Sequence, residues 1–235
     1  MKFDCAYLSD KGPRPENEDS AGLWRMPDGL AMAVADGLGG HIGGQFASRL
    51  AIDVFVNAVR EDLNLDLPML AWQIHQRIRQ AQTDRPELRR MATTFSAVYI
   101  KGDTMRIAHC GDTRVILQRG KGIKLLTKDH TEANRLLSIG KLSPEEFENY
   151  PRRNVLESAL GAPTHPQIDS ATHDVSTNDR VFIISDGVHG KVFLRELKDV
   201  SDGAATASIF VQRVGELIQQ RGADDNYTIA AAFLE

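Results

Sequence analysis

The chain has 235 residues, 42% of them apolar and 26% charged, with a net charge of −4. That length suits one sizeable domain, the apolar share excludes disorder, and the acidic balance excludes nucleic-acid binding by bulk positive charge. No apolar run approaches the roughly 20 residues of a membrane span, and Met1-Lys2-Phe3-Asp4 opens no apolar leader segment. Cys5 and Cys110 lie far apart, outside any C-x-x-C spacing, and read as free thiols in a reducing compartment. A cytoplasmic protein with neither a nucleic-acid nor a membrane partner is expected.

Residues 3–8 are a short apolar strand candidate, and residues 30–35 (LAMAVA) a buried strand that runs into Asp36 and a glycine cluster. Residues 46–59 and 67–81 carry apolar side chains at helical spacing. The period then changes. Residues 94–100, 105–110, 114–118 and 122–126 are short β-rich runs separated by glycine-containing turns, which reads as an antiparallel meander. A short helix is expected at 132–139. Ser143 with Glu146 three residues on predicts a capping box and a second short helix. Residues 168–175, 181–185 and 227–233 read as strands and 204–220 as a long helix. Strands in runs with paired helices between them favour α+β over a doubly wound parallel fold. Two antiparallel β-sheets face to face, with helix pairs outside, would bury every apolar face.

The acidic residues fall at informative places. Asp36 and Asp186 each end a strongly apolar strand and precede a glycine, Asp225 sits at the start of the last strand, and Asp19 follows a polar loop. One Asp-Gly pair is ordinarily just a turn. Several carboxylates gathered at one end of a sandwich would repel one another, and hard divalent cations, which prefer oxygen ligands, relieve that repulsion. The glycine after Asp36 lets the backbone approach an ion closely and offer its carbonyl. The glycine-rich stretch 37–44 matches neither the Walker pattern nor G-x-G-x-x-G, and His41 is the best-placed histidine.

In chain order these segments resemble the PPM, or PP2C-type, protein phosphatases. Arg14-Pro15-Glu16-Asn17-Glu18-Asp19 resembles R-x-x-N-Q/E-D, and ADGLGGHIGGQFAS at 35–48 resembles the family's A-D-G-M-G-G-H stretch. Thr93-Thr94, Gly111-Asp112-Thr113-Arg114, the 126–131 run LTKDHT, Asn154 to Gly161, Ser185-Asp186-Gly187 and Asp225-Asn226-Tyr227-Thr228 follow in the family's order. The resemblance implies a PP2C-like αββα sandwich, one domain over 1–235, with a flap at approximately 131–160.

It also implies roles. Asp36 bridges two cations, Mn²⁺ or Mg²⁺, and the Gly37 carbonyl binds one of them. Asp186 and Asp225 complete a shell, and Asp19 acts on the second ion directly or through water. Arg14 clamps the substrate phosphate, because a guanidinium fork matches phosphate oxygens. Cations about 3.5–4 Å apart would activate a water for direct attack on phosphorus, with His41 as candidate general acid. The implied substrates are phosphoserine and phosphothreonine on proteins, those of a Ser/Thr kinase, and a monomer is expected.

Three positions depart from the pattern. Gly190 stands where a second aspartate is usual, which puts a third cation site in question, although Asp112 or Asp129 with Asp186, or His189, could compensate. Gln45 replaces a glutamate, and Ala92 a glycine. Arg152-Arg153 reads first as a solvated charge pair, and otherwise as a contact for an acidic or phosphorylated partner. The rival to an active phosphatase is a catalytically silent module of the same fold that binds phosphoproteins or regulates a kinase. The retained acids at 36, 186 and 225 argue against it.

Overall fold

The computed structural model describes residues 1–39, 42–61 and 65–235, and of Ile42 the backbone alone. In chain order the strands and helices begin β1 (Phe3–Asp10), β2 (Asp19–Met26), β3 (Gly29–Leu38), α1 (Ile42–Glu61), α2 (Leu67–Asp84) and β4 (Ala92–Thr93). Two hairpins follow, β5 (Phe95–Lys101) with β6 (Thr104–Cys110), and β7 (Arg114–Arg119) with β8 (Gly122–Leu125). Then come α3 (Glu132–Ser138), α4 (Pro144–Glu148), β9 (Asp169–Asp174) and β10 (Arg180–Ile184). The chain closes with α5 (Asp186–His189), α6 (Leu194–Asp202), α7 (Ala207–Gln220) and β11 (Tyr227–Leu234).

Side-chain alternation along the strands explains the layering. Leu30, Met32 and Val34 of β3 point into a cluster with Val115, Val181, Ile183 and Leu234 of the other sheet. Between them Ala31, Ala33 and Ala35 point outward, where their small side chains let α1 and α2 approach through Ala47, Phe55 and Ile74. β11 mirrors this division. Ala230 and Ala232 face the middle of the sandwich, while Ile229, Ala231 and Phe233 face Phe210, Val214 and Ile218 of α7. Each fully buried large apolar side chain contributes ~1.5–3 kcal/mol, so three such layers hold the fold with no disulfide; Cys5 and Cys110 are free thiols.

One sheet runs β1-β11-β10-β7-β8 and the other β2-β3-β5-β6-β9, with β4 paired to β3 at its end. The expected α+β sandwich of antiparallel sheets is therefore what forms, and solved structures of the same fold are described below. The expected single meander over 94–126 is instead two hairpins in different sheets. The chain leaves one sheet at Cys110 and enters the other at Arg114, turning through Gly111 at φ 110°. β2 escaped the periodicity reading because it opens on Asp19 and Ser20 and contains Gly22. Full-length pairing with β3, from Asp19 opposite Asp36 to Met26 opposite Gly29, overrides that weak local signal. α6 was also missed; it is short, with Leu197 and Ser201 its only buried residues. The capping box at Ser143 and Glu146 is present.

Candidate active site

Antiparallel pairing delivers the acidic residues to one rim. β2 begins where β3 ends, which places Asp19 and Asp36 opposite each other. β11 begins where β10 ends, which brings Asp225 beside Asp186. The crossover between sheets supplies Asp112. Together with Arg14 and Gly37, four of these acids (Asp36, Asp112, Asp186 and Asp225) line a cleft of about 290 Å³, and Asn154 and Leu156 close it from the 131–160 segment. Asp19 lies just beneath, buried. His41 lies outside the described residues.

The cost of this gathering shows in the protonation equilibria. Burial, then the charges of Asp186 and Asp225, pushes the Asp19 carboxyl up to about 7 against the pull of hydrogen bonds from Thr228 and Ser185. Asp112 is likewise raised to about 7 by burial and by Asp186 and Asp129. Asp36 is held well above the ordinary carboxylate range by burial and by Asp19, Asp186 and Asp112, and Asp186 is raised by burial and by Asp225. Carboxyl groups in this state want either protons or cations.

A second set of residues orients the acids. Ser185 Oγ donates to Asp19 Oδ2 at 2.9 Å and accepts from the Thr228 backbone N–H at 2.9 Å. The Ser9 and Thr228 hydroxyls stand 2.8 Å apart, Asn17 Nδ2 donates to Ser9 Oγ, and Asn17 Oδ1 accepts from the Asp19 N–H. The Asp36 carbonyl accepts from Thr94 N–H at 2.8 Å and from Thr93 Oγ1 at 2.9 Å, while its N–H donates to Thr94 Oγ1. Asn226 accepts from Glu18 N–H and donates to the carbonyls of Lys11 and Glu16, so it staples the loop carrying Arg14 to the strand start carrying Asp225. Arg14 Nη2 in turn donates to Asp225 Oδ2 at 2.8 Å. Sequence reasoning saw Ser185, Thr93, Thr94, Asn226 and Thr228 only as motif letters without roles.

Residues 15–227 match the family model described as protein phosphatase 2C. This chain belongs to that family. It is 30% identical over 237 residues to protein phosphatase PhpP of Streptococcus pneumoniae, covering 97% of this chain and 96% of that protein. The crystal structure of the Mycobacterium tuberculosis serine/threonine phosphatase PstP/Ppp superposes with a TM-score of 0.89 at 28% identity, covering 99% of each chain. The catalytic domain of PstP in complex with 2 manganese ions superposes with a TM-score of 0.86 at 26% identity, over 99% of this chain and 98% of that one.

The donor set of this PP2C-family chain suits the hard cations that such sites take: it is all oxygen, and its members destabilise one another without positive charge. Among the described residues no three His, Cys, Asp or Glu side chains are grouped closely enough to hold an ion as they stand. Their oxygens are turned to protein partners instead, Asp225 to Arg14 and Asp19 to Ser185. At Gly37 a Cβ would stand 2.2 Å from the Gly44 carbonyl oxygen and 2.6 Å from that of Glu18. The glycine there is thus required by close backbone packing as well as by any approach to an ion.

The residues around the questioned third site divide. Asp112 lines the cleft. Asp129 is gripped by Arg114 in a two-pronged pair at 3.0 and 2.7 Å and does not line it. His189 Nε2 lies 3.1 Å from the Asp112 carbonyl and donates to it, and burial holds this imidazole down at about 4, hence neutral. A Cβ at Gly190 would meet the Asp186 carbonyl at 3.0 Å, so an aspartate there would need a small shift. Arg152 pairs with Glu132 at 2.7 Å and Arg153 with Glu148 at 3.4 Å.

Proposed function

We propose that this PP2C-family chain hydrolyses phosphoserine and phosphothreonine on proteins, with the acidic rim as its catalytic centre. The observation that carries the reading is the convergence of Asp19, Asp36, Asp112 and Asp186, each with its carboxyl pushed up by burial and by its neighbours. A silent binding module would gain nothing from such mutual repulsion. Asp36, the Gly37 carbonyl, Asp186, Asp225 and Asp19 would hold two divalent cations, manganese or magnesium, and Asp112 would contribute to a third if one binds. When bound, the cations supply positive charge that lowers the pKa of water and neutralises phosphate.

The chain's own residues do the rest. Arg14, exposed at the mouth and fixed through the Lys11–Asn226 contact, offers its fork to the phosphate oxygens. Ser185 and Thr228 keep Asp19 aimed, and Thr93 and Thr94 keep the Asp36 backbone in place. His41 is the proposed donor of the proton to the departing serine or threonine oxygen. The 131–160 segment acts as a flap on a single domain; the turn after its α4 is tied to α3 by hydrogen bonds from Tyr150 and Arg152 to Glu132, and its Asn154 and Leu156 reach the cleft. The substrates are those of a Ser/Thr kinase, and the chain acts as a monomer in the cytoplasm, a compartment that suits its two free thiols. Among the described residues no helix is long and apolar enough to cross a membrane.

Purified protein with Mn²⁺ and p-nitrophenyl phosphate tests the reading. Turnover that EDTA abolishes is expected. Absence of turnover, or turnover indifferent to EDTA, would end it.

A further inference from the structure

A second cavity of about 290 Å³ adjoins the acidic cleft, and the two share Leu38 and Leu156 as a common wall. Its charge is opposite in sign. Arg89 and Arg90 line it, both exposed, and neither guanidinium has a hydrogen-bond or ion-pair partner among the described residues. The one acid on its wall, Glu157, is taken by Arg135, whose Nε lies 2.9 and 2.8 Å from the two carboxylate oxygens. Other arginines near the cleft are engaged, Arg14 with Asp225, Arg114 with Asp129 and Arg152 with Glu132.

The position of this arginine pair is tied to the catalytic loop. Leu38 pairs with Ala92 across the β3–β4 ladder. Gly39, at φ 116°, lies so close to the next turn of chain that a Cβ would stand 2.5 Å from the Arg90 carbonyl oxygen. Arg90 is two residues beyond the Leu38–Ala92 pair, so its backbone lies at most roughly 13 Å along the ladder from Asp36. Three to five residues of extended peptide cover that distance, and a phosphoresidue in the cleft would leave its neighbours beside the arginines.

We propose that the Arg89–Arg90 cavity is a subsite for a second anionic group of the substrate protein. That group is a carboxylate or a further phosphate a few residues from the one being hydrolysed. The proposal rests on the phosphatase reading and deepens it, because a rim built of aspartates would otherwise repel acidic sequence around the target. Guanidinium forks match either anion.

The test uses phosphothreonine peptides that differ at one position, four residues to one side of the phosphothreonine or the other. That position holds alanine, glutamate or phosphoserine. Loss of phosphate from the threonine is followed by mass spectrometry with Mn²⁺ present. For the wild type, KM should be about fivefold lower with glutamate or phosphoserine than with alanine, as expected for exposed ion pairs, at unchanged kcat. A gain with phosphoserine alone identifies phosphate as the group, and an equal gain with glutamate identifies negative charge. Arg89→Ala/Arg90→Ala should erase the difference and leave p-nitrophenyl phosphate hydrolysis untouched. Arg89→Glu/Arg90→Glu should reverse the preference. Equal KM values for all peptides in the wild type, or a preference that survives the double alanine variant, would overturn the subsite while p-nitrophenyl phosphate turnover still upheld the phosphatase. Loss of that turnover in the wild type would bring down both.

Discussion

Asp19 and Asp36 stand directly opposite one another in the β2–β3 ladder, a like-charge cross-strand pair at the rim of the sandwich. Such a pair opposes sheet formation when both groups are ionised. Both carboxyls are raised, first by burial: Asp19 to about 7, with Asp186 and Asp225 adding to it, and Asp36 well above its ordinary value, with Asp19 the leading charge beside it. An acid whose folded pKa exceeds its unfolded value stabilises the fold below the unfolded pKa, and loses that contribution as pH rises through the folded pKa. EDTA-treated protein should therefore lose stability between pH 4 and about 7 through Asp19 and Asp112. Asp36→Asn should raise the Tm of EDTA-treated protein at pH 8 by several degrees, about 2–4 °C for each kcal/mol of relieved repulsion in a chain of this size. The same variant should lose phosphatase activity and the thermal shift produced by Mn²⁺. A melting point equal to or below the wild-type value at pH 8 would contradict the electrostatic account.

Ser185 carries a smaller but separable burden. Its hydroxyl donates to Asp19 and accepts from the Thr228 N–H, so Ser185→Ala leaves a buried donor and a buried acceptor without that partner. The stability cost should be about 1–3 kcal/mol. Residues that orient metal ligands typically change affinity by 10–100-fold, so the Mn²⁺ affinity should fall by roughly that factor. Calorimetric titration with Mn²⁺ and urea unfolding of the same preparation measure both. Unchanged Mn²⁺ affinity would mean that Asp19 needs no help in facing the cleft.

Arg14 should behave in the opposite way toward the metal. Its guanidinium holds Asp225 Oδ2 at 2.8 Å, and both side chains are substantially exposed, so the pair contributes under ~1 kcal/mol to stability. Arg14→Ala removes a competitor for Asp225 while removing the proposed phosphate fork. KM for p-nitrophenyl phosphate should rise about tenfold or more, while Mn²⁺ binding stays equal or tightens. Arg14→Lys should recover little, because a point charge does not reproduce a fork. A variant that binds Mn²⁺ more weakly would assign Arg14 to the metal shell's support instead.

What the sequence made legible follows from the range of the forces involved. Asp36 and Asp186 could be read because a carboxylate at the end of an apolar run conflicts with its surroundings, and that conflict is local. The long helices α1, α2 and α7 and most strands were visible for the same reason, since periodicity is local. β2 was not, because only its partner β3 makes Asp19-Ser20-Ala21-Gly22 a strand. Nor was the division of 94–126 between two sheets, which is decided by where the core lies on either side of Gly111. The Ser185–Asp19 and Asn226–Lys11 contacts join residues 166 and 215 positions apart. Nothing in the neighbourhood of Ser185 or Asn226 announces such a partner, so only the family's motif letters marked them.

His109 provides a test on the far side of the site. It is buried, its Nδ1 lies 2.9 Å from Ser96 Oγ, and its Nε2 lies 3.1 Å from the Lys128 carbonyl. The carbonyl can only accept, so Nε2 carries the proton and Nδ1 accepts from Ser96, which fixes a neutral tautomer. Burial, reinforced by His130 at a ring separation of 4.7 Å, holds its pKa down at about 4. A histidine with a lowered folded pKa contributes stability above its unfolded value near 6.5, and that contribution is lost as pH falls toward 4. The sign is opposite to that of Asp19 and Asp112 over an overlapping window, so a single pH–stability curve would blend them. A variant comparison separates them. Replacing the imidazole by a group that does not titrate, His109→Gln, should make the slope of urea-unfolding free energy against pH between 4 and 6.5 more negative than the wild type's by up to one proton. That amounts to about 1.4 kcal/mol per pH unit and about 3 kcal/mol across the window. Identical slopes for variant and wild type would show that His109 takes up its proton in the folded chain as readily as in the unfolded one, against the burial that holds its pKa down.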